Sequence, residues 1–229
     1  LNILITGANR GLGLEFCRQY LTQGDRVIAC CRALGQATQL LALQKQFPAL
    51  VIEQLDIVNE SEVQQLSEKY HDLALDCLIN NAGYYGQTPQ SLENCEQQDW
   101  LNTVQVNAIA PILLTRAFLP SLKKATSAKV AFLTSKMGSI GDNGSGRSYI
   151  YRSSKAALNA AIKSLAIDYA DEGLSVIALH PGWVRTDMGG PNGLIEPEES
   201  ITGLRNVIAE LDSNSSGSFK DYQGKTIAW

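Results

Sequence analysis

Asn2-Ile-Leu-Ile-Thr6, then Gly7-Ala-Asn-Arg-Gly-Leu-Gly13, then Leu14-Glu-Phe-Cys-Arg-Gln-Tyr20 decide the fold. The first stretch is a short apolar run bounded by glycine, the pattern of a fully buried strand. Further on, Leu12, Phe16 and Tyr20 recur every four residues and mark one face of a helix, which Gly24 closes where a left-handed residue is usual. Between strand and helix, Gly7, Gly11 and Gly13 permit a tight turn and let backbone N–H groups approach a phosphate at the helix N-terminus. Alone, such a loop reads equally as a plain strand-to-helix turn. Its place after the first strand of an α/β pattern is what a dinucleotide site requires.

The pattern continues outward. Strands are expected at Arg26–Cys31, Leu50–Leu55, Asp76–Asn80, Lys129–Thr134 and Leu174–His180, with a last edge strand at Lys225–Trp229. Helices are expected over Gln36–Phe47, from the Asn59 cap with Glu62 three residues on, over Gln97–Leu122, over the alanine-rich Tyr149–Asp171, and over Pro197–Leu211. Strands and helices alternating at this spacing predict an α/β fold: a doubly wound parallel sheet (Rossmann fold) in three α/β/α layers. No repeat or linker divides residues 1–229, so one domain is expected, with a glycine- and proline-rich stretch between Pro181 and Pro197.

Hydrophobic residues make up 45% and charged residues 18% of the 229, a globular balance that excludes disorder. A net charge of −4 disfavours nucleic-acid and anionic-membrane partners, and a small-molecule substrate is expected instead. Five cysteines (17, 30, 31, 77 and 95) are odd in number and lack metal-site spacing, so no metal is expected and the thiols read as reduced, in a cytoplasmic setting. No apolar run reaches the length of a membrane span, and with a strand formed by the first residues no signal peptide is expected.

Tyr151 and Lys155 stand at i and i+4 and share one helix face. A free phenol has a pKa of roughly 10, and a neighbouring ammonium favours the phenolate, which would make it a usable acid or base near neutrality. A Tyr–Lys pair on its own reads as a solvated face; its place on an alanine-rich helix after a strand and a glycine-rich loop favours the chemistry. Tyr149 lacks this partner, because position 153 is serine. Ser135 ends the fifth strand at the carboxyl edge, where such sheets bind ligands, with Ser139 as the alternative. Asn107 lies on the core stripe of its helix, and Pro111 has no N–H to offer the Asn107 carbonyl.

The Thr6 loop with Gly7-x-x-x-Gly11-x-Gly13, Asp56, Asn80-Asn-Ala-Gly83, Asn107, Tyr151-x-x-x-Lys155 and Pro181-Gly-Trp-Val-Arg-Thr186 together resemble the short-chain dehydrogenase/reductase family over residues 6–186. The stretches 135–143 and 221–229 resemble its sniffer-like carbonyl reductases and C-factor-like proteins. The resemblance implies that Tyr151 exchanges the proton, Lys155 tunes it and binds the nicotinamide ribose, Ser135 holds the substrate carbonyl, and the Asn107 carbonyl holds a relay water. It implies a cofactor site made of Gly7, Asn9, Arg10, Gly11, Leu12 and Gly13, with Asp56 and Ile57 at the adenine. Asn80, Asn81, Ala82 and Gly83 would lie at the ribose, and Pro181, Gly182, Val184 and Thr186 at the nicotinamide.

NAD-using relatives carry an acidic residue at the end of the second strand, where this chain has Cys31. Arg32 follows it and Arg10 lies in the loop, a pair suited to the 2′-phosphate of NADP(H) over NAD(H), unless both are ordinary surface arginines. The resemblance implies that the segment near 183–212 covers the substrate, so that Trp183, Met188, Leu194 and Ile195, with Tyr84, Tyr85, Met137 and Ile140, would form a mostly apolar pocket, unless they are plain packing. The expected function is NADPH-dependent carbonyl reduction. Its rivals are an alcohol dehydrogenase running oxidatively and a dinucleotide-binding signalling protein of C-factor type. The resemblance implies a homodimer or homotetramer formed through the helices near 100–118 and 156–170, where Ala156, Ala157, Ala160 and Ala161 would allow close helix approach, unless they serve packing against the chain's own sheet.

Overall fold

A computed structural model describes residues 1–229. Seven strands form one parallel sheet in the order β3-β2-β1-β4-β5-β6-β7. They are β1 Asn2–Thr6, β2 Arg26–Cys31, β3 Leu50–Gln54, β4 Cys77–Asn80, β5 Ala128–Leu133, β6 Leu174–His180 and β7 Ser218–Asp221. The helices are α1 Gly11–Thr22, α2 Thr38–Gln46, α3 Glu60–Lys69, α4 Gln97–Val104, α5 Ala110–Leu122, α6 Tyr149–Asp168 and α7 Pro197–Ala209.

Successive strand residues feed opposite cores, as the period of two demands. Ile3, Ile5, Val27, Ala29 and Ile79 pack with Phe16, Leu40 and Leu204 beneath α1, α2 and α7. Leu4, Ile28, Leu78, Val130 and Phe132 pack with Val63, Phe118 and Ile162 beneath α3, α5 and α6. Burial on both faces explains why these strands read as unbroken apolar runs. The strand order reverses between β1 and β4, and the crevice at such a switch point is where open α/β sheets bind ligands.

Two expected elements differ. The seventh strand is Ser218–Asp221, parallel to β6, and not Lys225–Trp229. Phe219 is 1% exposed and plugs the core, while the Trp229 ring lies tilted against it, centroids 5.5 Å apart, as the chain folds back in a turn. The expected helix over Gln97–Leu122 is broken at Gln105–Ile109 by a π-helical turn, in which the Ala110 N–H donates to the Gln105 carbonyl. Pro111 cannot supply the N–H that would keep the α register through residue 107, and an extra residue per turn accommodates it. The Asn59 cap is present: its side chain accepts from the Ser61 and Glu62 N–H groups, while Glu62 reaches back to the Asp56 N–H.

Candidate active site

The glycine loop is held closed from β4. Thr6 Oγ1 accepts the Asn81 and Ala82 N–H groups, each at 3.1 Å. Asn81 Nδ2 donates to the Thr6 carbonyl at 2.8 Å and the Gly7 carbonyl at 3.1 Å. Asn81, expected against a ligand, therefore spends its amide on the loop. Gly7 and Gly11 adopt φ of +64° and +53°, and a Cβ on Gly13 would stand 2.2 Å from the Gly7 oxygen. Glycine is demanded at 13 by space, and at 7 and 11 by conformation. Arg10 precedes α1 without a side-chain cap, so the first-turn N–H groups of Gly11, Leu12 and Gly13 are free of one. Asn9 is half-buried in the same loop, and Leu12 packs on the core.

Thr186 lies over this loop, its Cγ2 being 3.6 Å from the place of a Gly11 Cβ. It is carried by a tight excursion after β6, in which Gly182 turns at φ +86° and Val184 bridges Ile195. Pro181 is fixed there by Ser200, whose hydroxyl donates to its carbonyl at 2.6 Å. The same excursion carries Asp187, which pairs with Arg10 at 2.7 Å with both side chains exposed. Arg32 is exposed after β2. Asp56 Oδ1 accepts the Val58 N–H within its own turn. Ile57 lines an apolar groove of about 540 Å³ between α3 and α4–α5, whose lining does not include Tyr151. Asn80 donates to Thr115, and its Oδ1 is buried without a partner.

Tyr151, Lys155, Ser135 and Asn107 are all buried and meet at the carboxyl edge. The Lys155 ammonium lies 5.9 Å from the Tyr151 ring centroid and donates to the Leu133 carbonyl at 2.8 Å. Gly83 adjoins both Lys155 Nζ and Asn107 Oδ1, at 3.7 and 3.5 Å from its would-be Cβ. Gly138 packs on the Lys155 backbone, with no room for a side chain. Asn107 clamps the strand-end loop, accepting the Tyr84 N–H and donating to the Tyr84 carbonyl, each at 2.7 Å. It also donates to Ser154 at 3.0 Å. Ser135 accepts the Met137 N–H as the cap of a short turn two residues past β5; Ser139, the alternative, accepts the Asp142 N–H.

The electrostatics reverse one expectation. Burial pushes the Tyr151 phenol up to about 12; the Ser135 hydroxyl draws it down and Tyr85 adds to the rise. Lys155 does not lower it, because the ammonium is turned to Leu133. Burial lowers the Lys155 ammonium itself to about 8. His180 is pushed down to about 4 by burial.

Sequence reading passed over Gln90, Ser154 and Asp187. Gln90 accepts the Tyr151 N–H at 2.9 Å and donates to the Tyr85 carbonyl at 2.7 Å. Its only sequence signal is a glutamine among loop residues, which specifies no partner.

Over residues 1–194 the chain matches the short chain dehydrogenase family. It is 43% identical over 155 residues to C-signal of Myxococcus xanthus, a match covering 68% of this chain and 93% of that protein. The structure of the carbonyl reductase Sniffer of D. melanogaster superposes with a TM-score of 0.95 at 35% identity, covering 100% of this chain and 99% of that one. NADPH-bound carbonyl reductase from chicken fatty liver superposes with a TM-score of 0.93 at 36% identity, covering 100% and 98% of the two chains. Sheet order, glycine loop and matched length agree: the chain belongs to the short-chain dehydrogenase family of oxidoreductases.

Proposed function

We propose that this protein is an NADPH-dependent carbonyl reductase in which Tyr151 gives its proton to the substrate oxygen. The observation that carries the reading is the buried phenol facing Ser135, with Lys155 on the same helix face, at the sheet edge that also holds the glycine loop.

The residues present fit a dinucleotide. Gly13 packs directly against the Gly7 carbonyl and so keeps the loop tight over the start of α1, the first turn of α1 offers uncapped N–H groups to phosphate, and Asn80 Oδ1 is an orphaned acceptor that a ribose hydroxyl would satisfy. When bound, the reduced dinucleotide supplies the hydride. Gly7, Gly11 and Gly13 would hold the pyrophosphate; Asn80, Ala82, Gly83 and Lys155 would hold the ribose, and Thr186 would cover the nicotinamide end. Ser135 orients the carbonyl oxygen as charge develops on it, and Tyr151 protonates that oxygen. A phenol near 12 keeps its proton at neutral pH, the form that a proton donor to the carbonyl oxygen needs. Tyr84, Ile140, Trp183, Met188 and Leu194 follow strand ends at this edge as large exposed apolar side chains, and they support an apolar carbonyl substrate. An NADPH-oxidation screen across aldehydes, ketones, quinones and diketones tests the reading; turnover only of substrates with an anionic handle would contradict it.

Arg10 and Arg32 are proposed to read the 2′-phosphate. An exposed pair such as Arg10–Asp187 contributes only about 0–1 kcal/mol, so a phosphate can displace Asp187. Replacing both arginines by alanine should raise the Kd for NADPH about 10–100-fold and leave that for NADH nearly unchanged, on the scale of charged hydrogen bonds. An unaltered preference in fluorescence titration would remove both from the phosphate site.

Lys155 sets the pH dependence. Its charge is present below about 8 and is lost above, so kcat/KM for reduction should be flat at neutral pH and fall as pH rises through about 8. Lys155→Met should abolish that limb and weaken NADPH binding. A profile whose alkaline limb persists in the methionine variant would assign it to another group.

The relative named C-signal supports a second reading, a signalling role exercised with dinucleotide bound. A chain that binds NADPH and reduces nothing in the screen would favour it.

A further inference from the structure

Helix α6, which carries Tyr151 and Lys155, begins without a cap of its own. Gly146, Arg147 and Ser148 run into it at φ +63°, +57° and +49°, a left-handed path that L-residues rarely take. Ser148, the cap position, makes no side-chain bond to the helix. Tyr151 is the third residue of α6, and its N–H is one of the early donors that no intrahelical carbonyl can reach. A cap side chain ordinarily satisfies such a donor.

Here the acceptor arrives from another segment. Gln90, 6% exposed in the loop between β4 and α4, places Oε1 2.9 Å from the Tyr151 nitrogen. Its Nε2 is 2.7 Å from the Tyr85 carbonyl. The rings of Tyr85 and Tyr151 stand with centroids 4.7 Å apart. One buried amide therefore holds the backbone of both members of an aromatic pair, one of which bears the reacting phenol.

We propose that Gln90 is a positioning residue for the Tyr151 phenol, fixing the start of α6 and the Tyr85 ring against it. The role rests on the assignment of proton donation to Tyr151. Gln90 cannot touch substrate in that role, since both ends of its amide are committed to backbone. Its effect passes through placement: a misplacement of about 1 Å costs on the order of 10²-fold in rate. The two bonds act in different directions, one on the helix and one on the loop, so a side chain that keeps one of them retains part of the effect.

Gln90→Met keeps the length and removes both bonds, while Gln90→Glu keeps the acceptor for Tyr151 and loses the donor to Tyr85. In full-length protein, Gln90→Met should speed hydrogen exchange of the Tyr151 amide at least tenfold. It should lower kcat about 10–100-fold and leave the NADPH Kd within about twofold. Gln90→Glu should fall between parent and methionine variant in kcat. On a Tyr151→Phe background, Gln90→Met should lower residual turnover no further, because a residue acting through the phenol has nothing left to position. The role is overturned if Gln90→Met leaves kcat within twofold, if it costs as much on the Tyr151→Phe background as in the parent, or if NADPH binding weakens in step with kcat. Amide exchange reads the bond whether or not the chain turns over. Accelerated exchange with turnover indifferent to Tyr151→Phe marks the failure of the Tyr151 assignment, and the positioning role falls with it. Unchanged exchange marks the failure of the Gln90 bond alone.

Discussion

Tyr151→Phe should lose carbonyl reduction by about 10²–10⁴-fold, the usual contribution of a positioned proton donor, and bind NADPH as the parent does. The substitution removes one oxygen. The ring keeps its place 4.7 Å from Tyr85, and the backbone N–H keeps its bond to Gln90. What disappears is the hydroxyl facing Ser135. Tyr149→Phe is the control: Tyr149 is 42% exposed, has serine four residues on, and should turn over within about twofold of the parent. Steady-state rates beside NADPH titrations read both variants. A dead Tyr149→Phe and an active Tyr151→Phe would move the proton to the other tyrosine.

Gly13→Ala should cost most of the dinucleotide affinity. The new methyl would lie 2.2 Å from the Gly7 oxygen and 2.6 Å from Asn81 Nδ2, the atom that ties the loop to β4. Backbone must move, and the move spoils the cradle. Strain of about 1–3 kcal/mol corresponds to roughly a 5–150-fold rise in the NADPH Kd. Gly35→Ala meets nothing within 4 Å and should bind NADPH like the parent. Equal titrations for the two variants would mean that Gly13 does not shape the site.

The features legible in the sequence are those set by neighbours in the chain. β6 spans Leu174–His180 as its apolar run indicates, and α1 follows the four-residue spacing of Leu12, Phe16 and Tyr20. The Asn59 cap is visible because cap and capped N–H groups lie within three residues. Pro111 flagged the disturbed helix, but the missing N–H does not say whether the chain kinks or gains a π turn. β7 is hidden in the sequence because Phe219, alone among polar residues, gives no period, whereas Ile227-Ala-Trp229 looks apolar. Its burial is decided by β6 and α6, which lie far away in the chain.

Within the site the same division holds. Tyr151 and Lys155 stand one helical turn apart and are found by counting. Asp187 lies 177 residues from Arg10, and Gln90 lies 61 from Tyr151; only the folded sheet edge brings each pair together. The direction of the phenol shift escaped for a related reason. Adjacency on a helix face predicts that Lys155 lowers it, but burial acts on both groups and the Leu133 carbonyl takes the ammonium. Burial and acceptor geometry are properties of the packed chain.

Carbonyl reduction is tested most directly by following the transferred hydrogen. The protein is incubated with NADPH deuterated at the nicotinamide C4 and an apolar ketone, and the alcohol is analysed by mass spectrometry. The expected result is one deuterium on the carbinol carbon, with Tyr151→Phe forming the same labelled product at a rate lower by about 10²–10⁴-fold. Bound NADPH with no labelled alcohol from any ketone, aldehyde or diketone would contradict it.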